Sequence, residues 1–517
     1  MQKCFVGMGK TSSRFFVLFA SLFILSACNK DLVGIAASRA AKGDVCTQSK
    51  ALVSEMQTPF ERQGSKVLTR RGRGISIQNT GAEFKRGEKL VAVVDVGCEA
   101  GGGNAERLLR SRALVLENDT STQELSAWAE SDPCVIGISE STVFHTSYVP
   151  NDTQYGQLTH MTAIKANLAY DTFYSATNGV TTDVVIAVID TGVDLTHPDL
   201  MANRWVNPRP GTWVSPDGNT RVTGDTNGYN FASGIGASGP QVWTDDPGGE
   251  VHGTHVGGLA AAVADNSTGV AGVMGKHAKI MSLNIFGTTS GAAVEDLDNA
   301  IYYAADNGAK VINMSLGACT DSPSTETAIA YALNKGSIIV TAAGNDGQEL
   351  TDDPNTAVQC GTAGRVFITP GSYARNRPGL ITVASTNAVN AARSSFSNFS
   401  TTLVKIAAPG SDSSSQTDNA TGSPGLRSTL PGNQYGLLQG TSMASPVAAG
   451  ALALAIGLAK SRFNIDLTPG QIETILTDSA KVETILNTAV KGGKSLDLNS
   501  LAAKILENDF PPASTCP

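Results

Sequence analysis

Val184-Val185-Ile186-Ala187-Val188-Ile189-Asp190 sets six apolar residues, all but Ala187 β-branched, in front of a carboxylate. A run of this length without polar alternation is a strand covered on both faces, the position of a strand inside a parallel sheet. Similar runs begin at Lys279 (KIMSLNIF), Lys310 (KVINMSL), Ser337 (SIIVTAA), Leu380 (LITVAS) and Leu403 (LVKIAA). Helical patterns fall between and after them, at residues 254–264, 293–307, 325–334, 441–459 and 469–479. The alternation predicts a three-layer α/β/α domain over residues 150–506, with a mostly parallel sheet. The helix from Thr441 is apolar nearly all round and is expected at its centre. Asp190 closes its strand, and ligands of parallel α/β sheets bind at the carboxyl ends of strands.

Outward from this domain, composition narrows the possibilities. A chain of 517 residues, 41% hydrophobic, can bury a large core and form more than one domain. The net charge of -8 is uneven: residues 29–145 carry 15 basic and 15 acidic side chains, whereas residues 146–517 carry 20 and 31. An acidic main portion argues against nucleic acid as a partner, because phosphates require a basic surface. At the N-terminus, Lys3, Lys10 and Arg14 precede or border an apolar run over 15–24, which is too short for a mature bilayer span and right for a signal segment. Leu25-Ser26-Ala27-Cys28 then resembles the bacterial lipobox. On that reading residues 1–27 are removed, and Cys28 carries a lipid that attaches the exported chain to a membrane.

Of 8 cysteines, Cys4 leaves with the signal and Cys28 is the lipid acceptor. The other six allow about 15 pairings in an oxidising compartment. Proximity in sequence favours Cys98 with Cys134 and Cys319 with Cys360, leaving Cys46 and Cys516. If the last two pair, a strap joins the anchored end to the far end of the chain.

Residues 28–87, with weak periodicity and the run Arg70-Arg71-Gly72-Arg73, are expected to be an anchor and linker. Over 88–146 the pattern is strand (KLVAVVDV from Lys89), helix (104–112), strand (ALVLE from Ala113), helix from Ser121, and strand (VIGISESTVF from Val135). Ser121 with Glu124 three residues on marks the start of the second helix.

Two further islands complete a chemical set with Asp190: His252-Gly253-Thr254-His255, and Gly440-Thr441-Ser442-Met443-Ala444-Ser445-Pro446. A serine hydroxyl needs an imidazole to take its proton and a carboxylate to hold that imidazole in the right tautomer. Each residue alone has a plainer explanation: Asp190 as a turn residue, Ser442 as a helix cap, His252 with His255 as a metal pair. The histidine spacing lacks the i, i+4 pattern and the glutamate of a zinc protease. The chain order Asp, His, Ser is that of subtilisin.

At these islands the chain resembles the subtilisin-like serine proteases, or subtilases. The resemblance implies an endopeptidase that acts on polypeptides without an organic cofactor, with Asp190, His252 and Ser442 as its triad. Ala342-Ala343-Gly344-Asn345 resembles the segment whose asparagine donates to the substrate oxyanion, with the Ser442 N–H as second donor. Ser315-Leu316-Gly317 resembles the strand that pairs with an extended substrate, and with Ala342 to Gly344 it would line the primary pocket. Ser290-Gly291 resembles the opposite rim. Small, uncharged lining residues imply a broad, mostly apolar preference. Ala264, Asn266, Thr268 and Val270, with Asp199 and either Asp152 or Gln154, resemble a structural Ca2+ loop, a donor set of oxygens that suits calcium.

Residues 88–146 resemble the subtilase propeptide, which would inhibit its own protease until cut between Phe144 and Tyr155; residues 507–517 remain as a tail. Val447 stands where many relatives have histidine. A narrow-specificity processing protease and an inactive surface-binding protein are the competing possibilities.

Overall fold

The computed structural model describes residues 148–232, 251–286, 291–411, 425–507 and 510, with four strands from the N-terminal portion. The expected signal segment, Cys28, Cys46, Cys98, Cys134, Cys516, Ser290 and the helices expected over 104–112 and from Ser121 lie outside the described residues. The chain divides into two compact units, residues 1–144 and 145–517.

The first unit holds β1 (Val67–Thr69), β2 (Lys89–Val94), β3 (Ala113–Glu117) and β4 (Val135–Glu140), an antiparallel sheet in the order β1-β4-β2-β3. Three of these match strands expected from the sequence. β1 does not: it lies inside the segment read as linker, and pairs Val67 with Ser139 and Thr69 with Gly137. Three residues are too few to display an alternation, so its pairing is set by β4 and not by its own pattern.

The second unit is built on β5 (Val184–Asp190), β6 (Gly228–Asn230), β7 (Ala278–Asn284), β8 (Val311–Met314) and β9 (Ile338–Ala342). The short strands β10 (Glu349–Leu350) and β11 (Arg365–Val366) pair with each other, and β12 (Leu380–Asn387) and β13 (Val404–Ser411) return to the main sheet. β14 (Leu426–Leu430) and β15 (Gln434–Leu438) form a hairpin, and β16 (Lys481–Val482) and β17 (Lys494–Ser495) close the edge. The nine-stranded sheet runs β16-β17-β13-β12-β9-β8-β5-β7-β6, parallel except at the β16-β17 pair. Its helices are α1 (Thr159–Ala163), α2 (Ala166–Phe173), α3 (His252–Ala261), α4 (Val294–Asp306), α5 (Pro323–Asn334), α6 (Thr441–Phe463), α7 (Pro469–Ser479) and α8 (Leu498–Leu506).

Each apolar strand feeds two cores. Ile186 and Val188 of β5 join the cluster formed with α2, α3, α6 and α8, whereas Ala187 and Ile189 join the cluster formed with α4 and α5. β9 divides in the same way, with Ile338 and Val340 on one side and Ile339 on the other. Burial on both faces is why these strands read as unbroken apolar runs. α6 is long and apolar enough to cross a membrane, but 89% of its apolar window is buried inside the protein, so it is a core helix. It packs on β5, β8, β9, β12 and β13.

After β5 the chain builds β6 and β7 on one side of it, then crosses to build β8 and β9 on the other. The ends of β5 and β8 therefore flank the point where the winding reverses, the place a parallel α/β sheet opens a crevice for ligands.

Candidate active site

Asp190 ends β5 and is fully buried. Its Oδ1 accepts from the Thr191 N–H at 2.8 Å and lies 2.8 Å from Nδ1 of His252, while Oδ2 has no hydrogen-bond partner among the described residues. His252 is the first residue of α3, and its side chain is 31% exposed, so the ring reaches from a buried carboxylate to the surface of the crevice. Gly253 permits the approach. A β-carbon there would meet the Gly192 carbonyl oxygen at 2.1 Å and Asp190 Oδ1 at 3.1 Å. His255 faces away: it is wholly buried, its Nε2 is 2.9 Å from the Leu426 carbonyl, and burial pushes its pKa down to about 3. It is a neutral structural group, and the two imidazoles form no metal pair.

Ser442 is the second residue of α6. Pro446 lies four residues on and has no N–H, so the Ser442 carbonyl lacks its intrahelical partner. Ser315 supplies the missing bond, its Oγ donating to the Ser442 carbonyl at 2.8 Å, while Ser442 Oγ donates back to the Ser315 carbonyl at 3.1 Å. Asn313, buried on β8, extends the tie: its Nδ2 donates to Ser315 Oγ at 3.0 Å and its Oδ1 accepts from Ser445 Oγ at 2.7 Å.

Asn345 follows β9, and its Oδ1 accepts from both the Thr441 N–H and the Thr441 hydroxyl at 2.9 Å. A backbone N–H can only donate, so the amide oxygen must face Thr441 and the NH2 group is turned the other way. A β-carbon on Gly440, whose φ is 155°, would sit 3.5 Å from Ser442 N and 3.6 Å from Asn345 Nδ2. The two donors thus flank one space, and Ser442 N, at the second position of a helix, has no intrahelical acceptor.

A cavity of about 220 Å³ opens beside them, lined by Leu316, Gly317, Ala342, Gly344, Asn345, Thr441 and Ser442, and also by Cys319, Cys360, Ile368 and Asp346. Of the residues expected to line the primary pocket, Leu316, Gly317, Ala342 and Gly344 border this cavity. Ala343 instead is wholly buried in the core beneath, and Ser315 is occupied by Ser442. Gly291 is exposed.

The sequence profile of the subtilase family matches residues 181–500. The chain belongs to the subtilase family. It is 32% identical over 420 residues to the thermophilic serine proteinase of Bacillus sp. (strain AK1), which covers 81% of this chain and 85% of that one. It is 35% identical over 280 residues to thermitase of Thermoactinomyces vulgaris, covering 54% of this chain and 77% of the relative. Among solved structures, a protease from Pseudoalteromonas arctica superposes with a TM-score of 0.51 at 29% identity, over 69% of this chain and 100% of that one. The three-layer fold and the serine endopeptidase class follow from this membership.

In this subtilase the loop read as a calcium site curls through Asp265, Ser267 and Gly269, all at positive φ. Asp199 is fully buried; its Oδ1 accepts from Asn266 Nδ2 at 2.6 Å and its Oδ2 from the Val270 N–H at 2.8 Å. Asp152 accepts from the Asp265 N–H through Oδ2, while its buried Oδ1 has no partner among the described residues. Burial raises the pKa of both carboxylates, and the Asp199 charge raises that of Asp152 further. Two buried carboxylates near a loop of carbonyls, one with an orphaned oxygen, make an oxygen-only donor set that fits calcium. Gln154 Oε1 accepts from Arg427 at 3.2 Å, and Asn266 Oδ1 accepts from the Thr268 N–H at 2.8 Å.

Sequence reasoning missed Asn313, Thr441, Asp346 and Ile368. Of these only Thr441 carried a signal, as the neighbour of Ser442 within the seven-residue island.

Proposed function

We propose that this subtilase cleaves peptide bonds through Asp190, His252 and Ser442. The observation that carries the proposal is the 2.8 Å contact between His252 Nδ1 and the fully buried Asp190. With Nδ1–H held by the carboxylate, Nε2 is the basic nitrogen. Once the Ser442 hydroxyl turns from the Ser315 carbonyl, Nε2 takes its proton as Oγ attacks the scissile carbonyl, then gives that proton to the leaving amine. Water attacks the acyl-enzyme by the same route in reverse. The oxygen of each tetrahedral intermediate takes hydrogen bonds from Asn345 Nδ2 and the Ser442 N–H, aimed there before the charge develops. Substrate lies extended against Ser315 to Gly317, with Ser290 and Gly291 on the far rim, adding a strand by backbone bonds while the pocket selects the side chain.

Calcium, held by Asp199, Asp152, Asn266 and the carbonyls of Ala264, Thr268 and Val270, would neutralise the buried carboxylates and stiffen the loop. Residues 88–146 act as an inhibitory propeptide, to which β1 contributes. Tyr148 is built into the catalytic unit: its N–H donates to Asp171 Oδ1 at 2.8 Å and its ring packs on Tyr170 and Tyr174. Asn151 and Asp152 brace the calcium loop. These ties support a processing cut before Tyr148. The signal at 1–27 exports the chain, and Cys28 anchors it by lipid. Mass spectrometry of the active form reads the processed N-terminus and any acyl chain together. Comigration of both fragments only without reductant would support the Cys46–Cys516 strap.

The decisive experiment is casein hydrolysis by the purified mature enzyme, with phenylmethylsulfonyl fluoride and with Ser442→Ala. Both should abolish cleavage. Activity that survives either one sinks the assignment, and a peptide library separates broad from narrow specificity.

A further inference from the structure

The cavity beside Ser442 is walled in part by a pair of cysteines from separate segments. Cys319 stands two residues past Gly317, on the stretch that leaves β8, and Cys360 lies in the excursion between β10 and β11. Their Cα atoms are 5.9 Å apart, within the range a disulfide spans. Both line the cavity, together with Ala342, Gly344 and Ile368. Ile368 is 3% exposed, and a β-carbon on Gly317 would meet its Cγ2 at 2.7 Å.

The two segments are fixed very differently. On the Cys319 side, Ala318 exchanges both backbone hydrogen bonds with Thr369, at 3.0 and 2.9 Å. On the Cys360 side, no residue from Asp352 to Arg365 is buried. The excursion is held at its base by the β10–β11 pair and by backbone bonds from Thr351 to Val366 and from Val358 to Arg365. Further out, the Gln348 side chain reaches the Thr362 carbonyl, and Arg375 meets Asp352 at the surface. A segment with few buried contacts and exposed backbone bonds belongs to the low-stability end of a fold. Val358 and Cys360 pack, only partly buried, against the core cluster of Leu350, Val366 and Ile368, and the link to Cys319 is the covalent tie that joins this segment to the other wall.

We propose that a Cys319–Cys360 disulfide is the side wall of the primary specificity pocket and the element that makes the pocket selective for medium-sized apolar side chains. With the bridge closed, the sulfurs, Leu316 and Ile368 enclose an apolar space of fixed width, in which a leucine-sized group gains contacts that an alanine does not. With the bridge open, the excursion moves off and those contacts are lost. The triad, Asn345 and the Ser442 N–H are carried by β5, α3, β9 and α6, so the chemistry remains assembled. The proposal rests on the serine protease assignment of the same crevice.

The test compares kcat/KM on two peptide p-nitroanilides that differ only in leucine or alanine at the residue before the cut, per active site titrated with a serine-directed reagent. Three forms are measured: oxidised enzyme, enzyme reduced with dithiothreitol, and Cys319→Ala/Cys360→Ala. Reduction adds two electrons and two protons to the bridge as the reagent closes to its cyclic disulfide, and alkylation followed by mass spectrometry reports which thiols are freed. One methylene in an apolar pocket is worth about 10–200-fold in discrimination. The leucine-to-alanine ratio should therefore fall at least fivefold on reduction, with the same number of titratable sites. The double variant should match the reduced enzyme and no longer respond to dithiothreitol. A ratio that stays within twofold after both thiols are freed overturns the proposal, as does a double variant that still responds or isolation of the enzyme with both thiols already free. Failure to titrate any site in the oxidised enzyme would instead count against the protease assignment.

Discussion

Removing the Asn345 amide isolates the oxyanion contribution from the triad. Asn345→Ala deletes one of the two N–H donors that flank the space beside Gly440 and leaves the Ser442 N–H in place. Loss of one such donor costs about 10²–10³ in kcat, or about 2.7–4 kcal/mol; this is the figure for the oxyanion asparagine of subtilisin, carried over on the family relation. The structure adds a graded companion. Thr441→Val keeps the backbone bond to Asn345 Oδ1 but removes the hydroxyl bond at 2.9 Å, together with the acceptor that Gly344 N–H uses at 3.1 Å. A neutral hydrogen bond is worth about 0.5–1.5 kcal/mol net, so with only the first of these bonds orienting the amide, kcat should fall about two- to tenfold. Asn345→Asp keeps the acceptor for Thr441 but turns a carboxylate oxygen toward the developing negative charge, so its loss should at least equal that of alanine. The assay is steady-state cleavage of a peptide p-nitroanilide per titrated active site, with KM expected within threefold because the bond forms only in the transition state. If Asn345→Ala retains kcat within threefold, or its loss falls on KM, the oxyanion role is wrong.

Asp190→Asn should keep the fold and lower kcat about 10⁴-fold, because an amide at that position selects the wrong imidazole tautomer; a loss under tenfold in a variant with unchanged circular dichroism removes the triad assignment. Gly253→Ala drives a β-carbon into the Gly192 carbonyl and against Asp190 Oδ1, so kcat should drop at least tenfold, and wild-type turnover would refute the close approach as a requirement. Chelation with EDTA should lower the melting temperature of enzyme inactivated at its serine, and more at pH 8 than at pH 4. Asp152 and Asp199 have folded pKa values above the unfolded carboxylate value, so without a cation they favour the folded state only at low pH, and that contribution is lost as pH rises through the folded values. A chelation effect that is absent, or larger at pH 4, would remove calcium from the loop.

The fold was legible where burial on two faces leaves an apolar run, as in β5, β7, β8, β9, β12 and β13. It was not legible in β1, β6, β10, β11, β16 and β17, each two or three residues long and formed because a neighbouring strand offers an edge. Helices α1, α2 and α8 also escaped notice, although Ala166, Ala169, Tyr170 and Phe173 lie on a helical period; the polar residues between them hid the apolar face. In the site, Asp190, His252 and Ser442 stood out because their chemistry is local to short islands. Asn313 and Ile368 did not, because a buried asparagine on a strand and an isoleucine in a loop acquire meaning only when β8, α6 and the cavity are brought together.

That contrast explains how an apolar helix can carry a positioned serine hydroxyl. α6 is buried on nearly every side, and a helix without a polar face has little in its hydrophobic packing to favour one rotation over another, since apolar contact is non-directional. Hydrogen bonds are directional. Ser442 and Ser445, three residues apart and so on one face of the helix, are bonded to Ser315 and Asn313 at the end of β8. A slip of one residue along α6 would turn both hydroxyls away and leave the buried Asn313 Oδ1 without its Ser445 donor, a cost of about 1–3 kcal/mol before any packing is counted. Pro446 sharpens the choice, because only in the observed register does the carbonyl it leaves unpaired meet the Ser315 hydroxyl. The small polar residues of the seven-residue island thus set where the Ser442 hydroxyl stands, and the apolar remainder of α6 anchors the helix in the core.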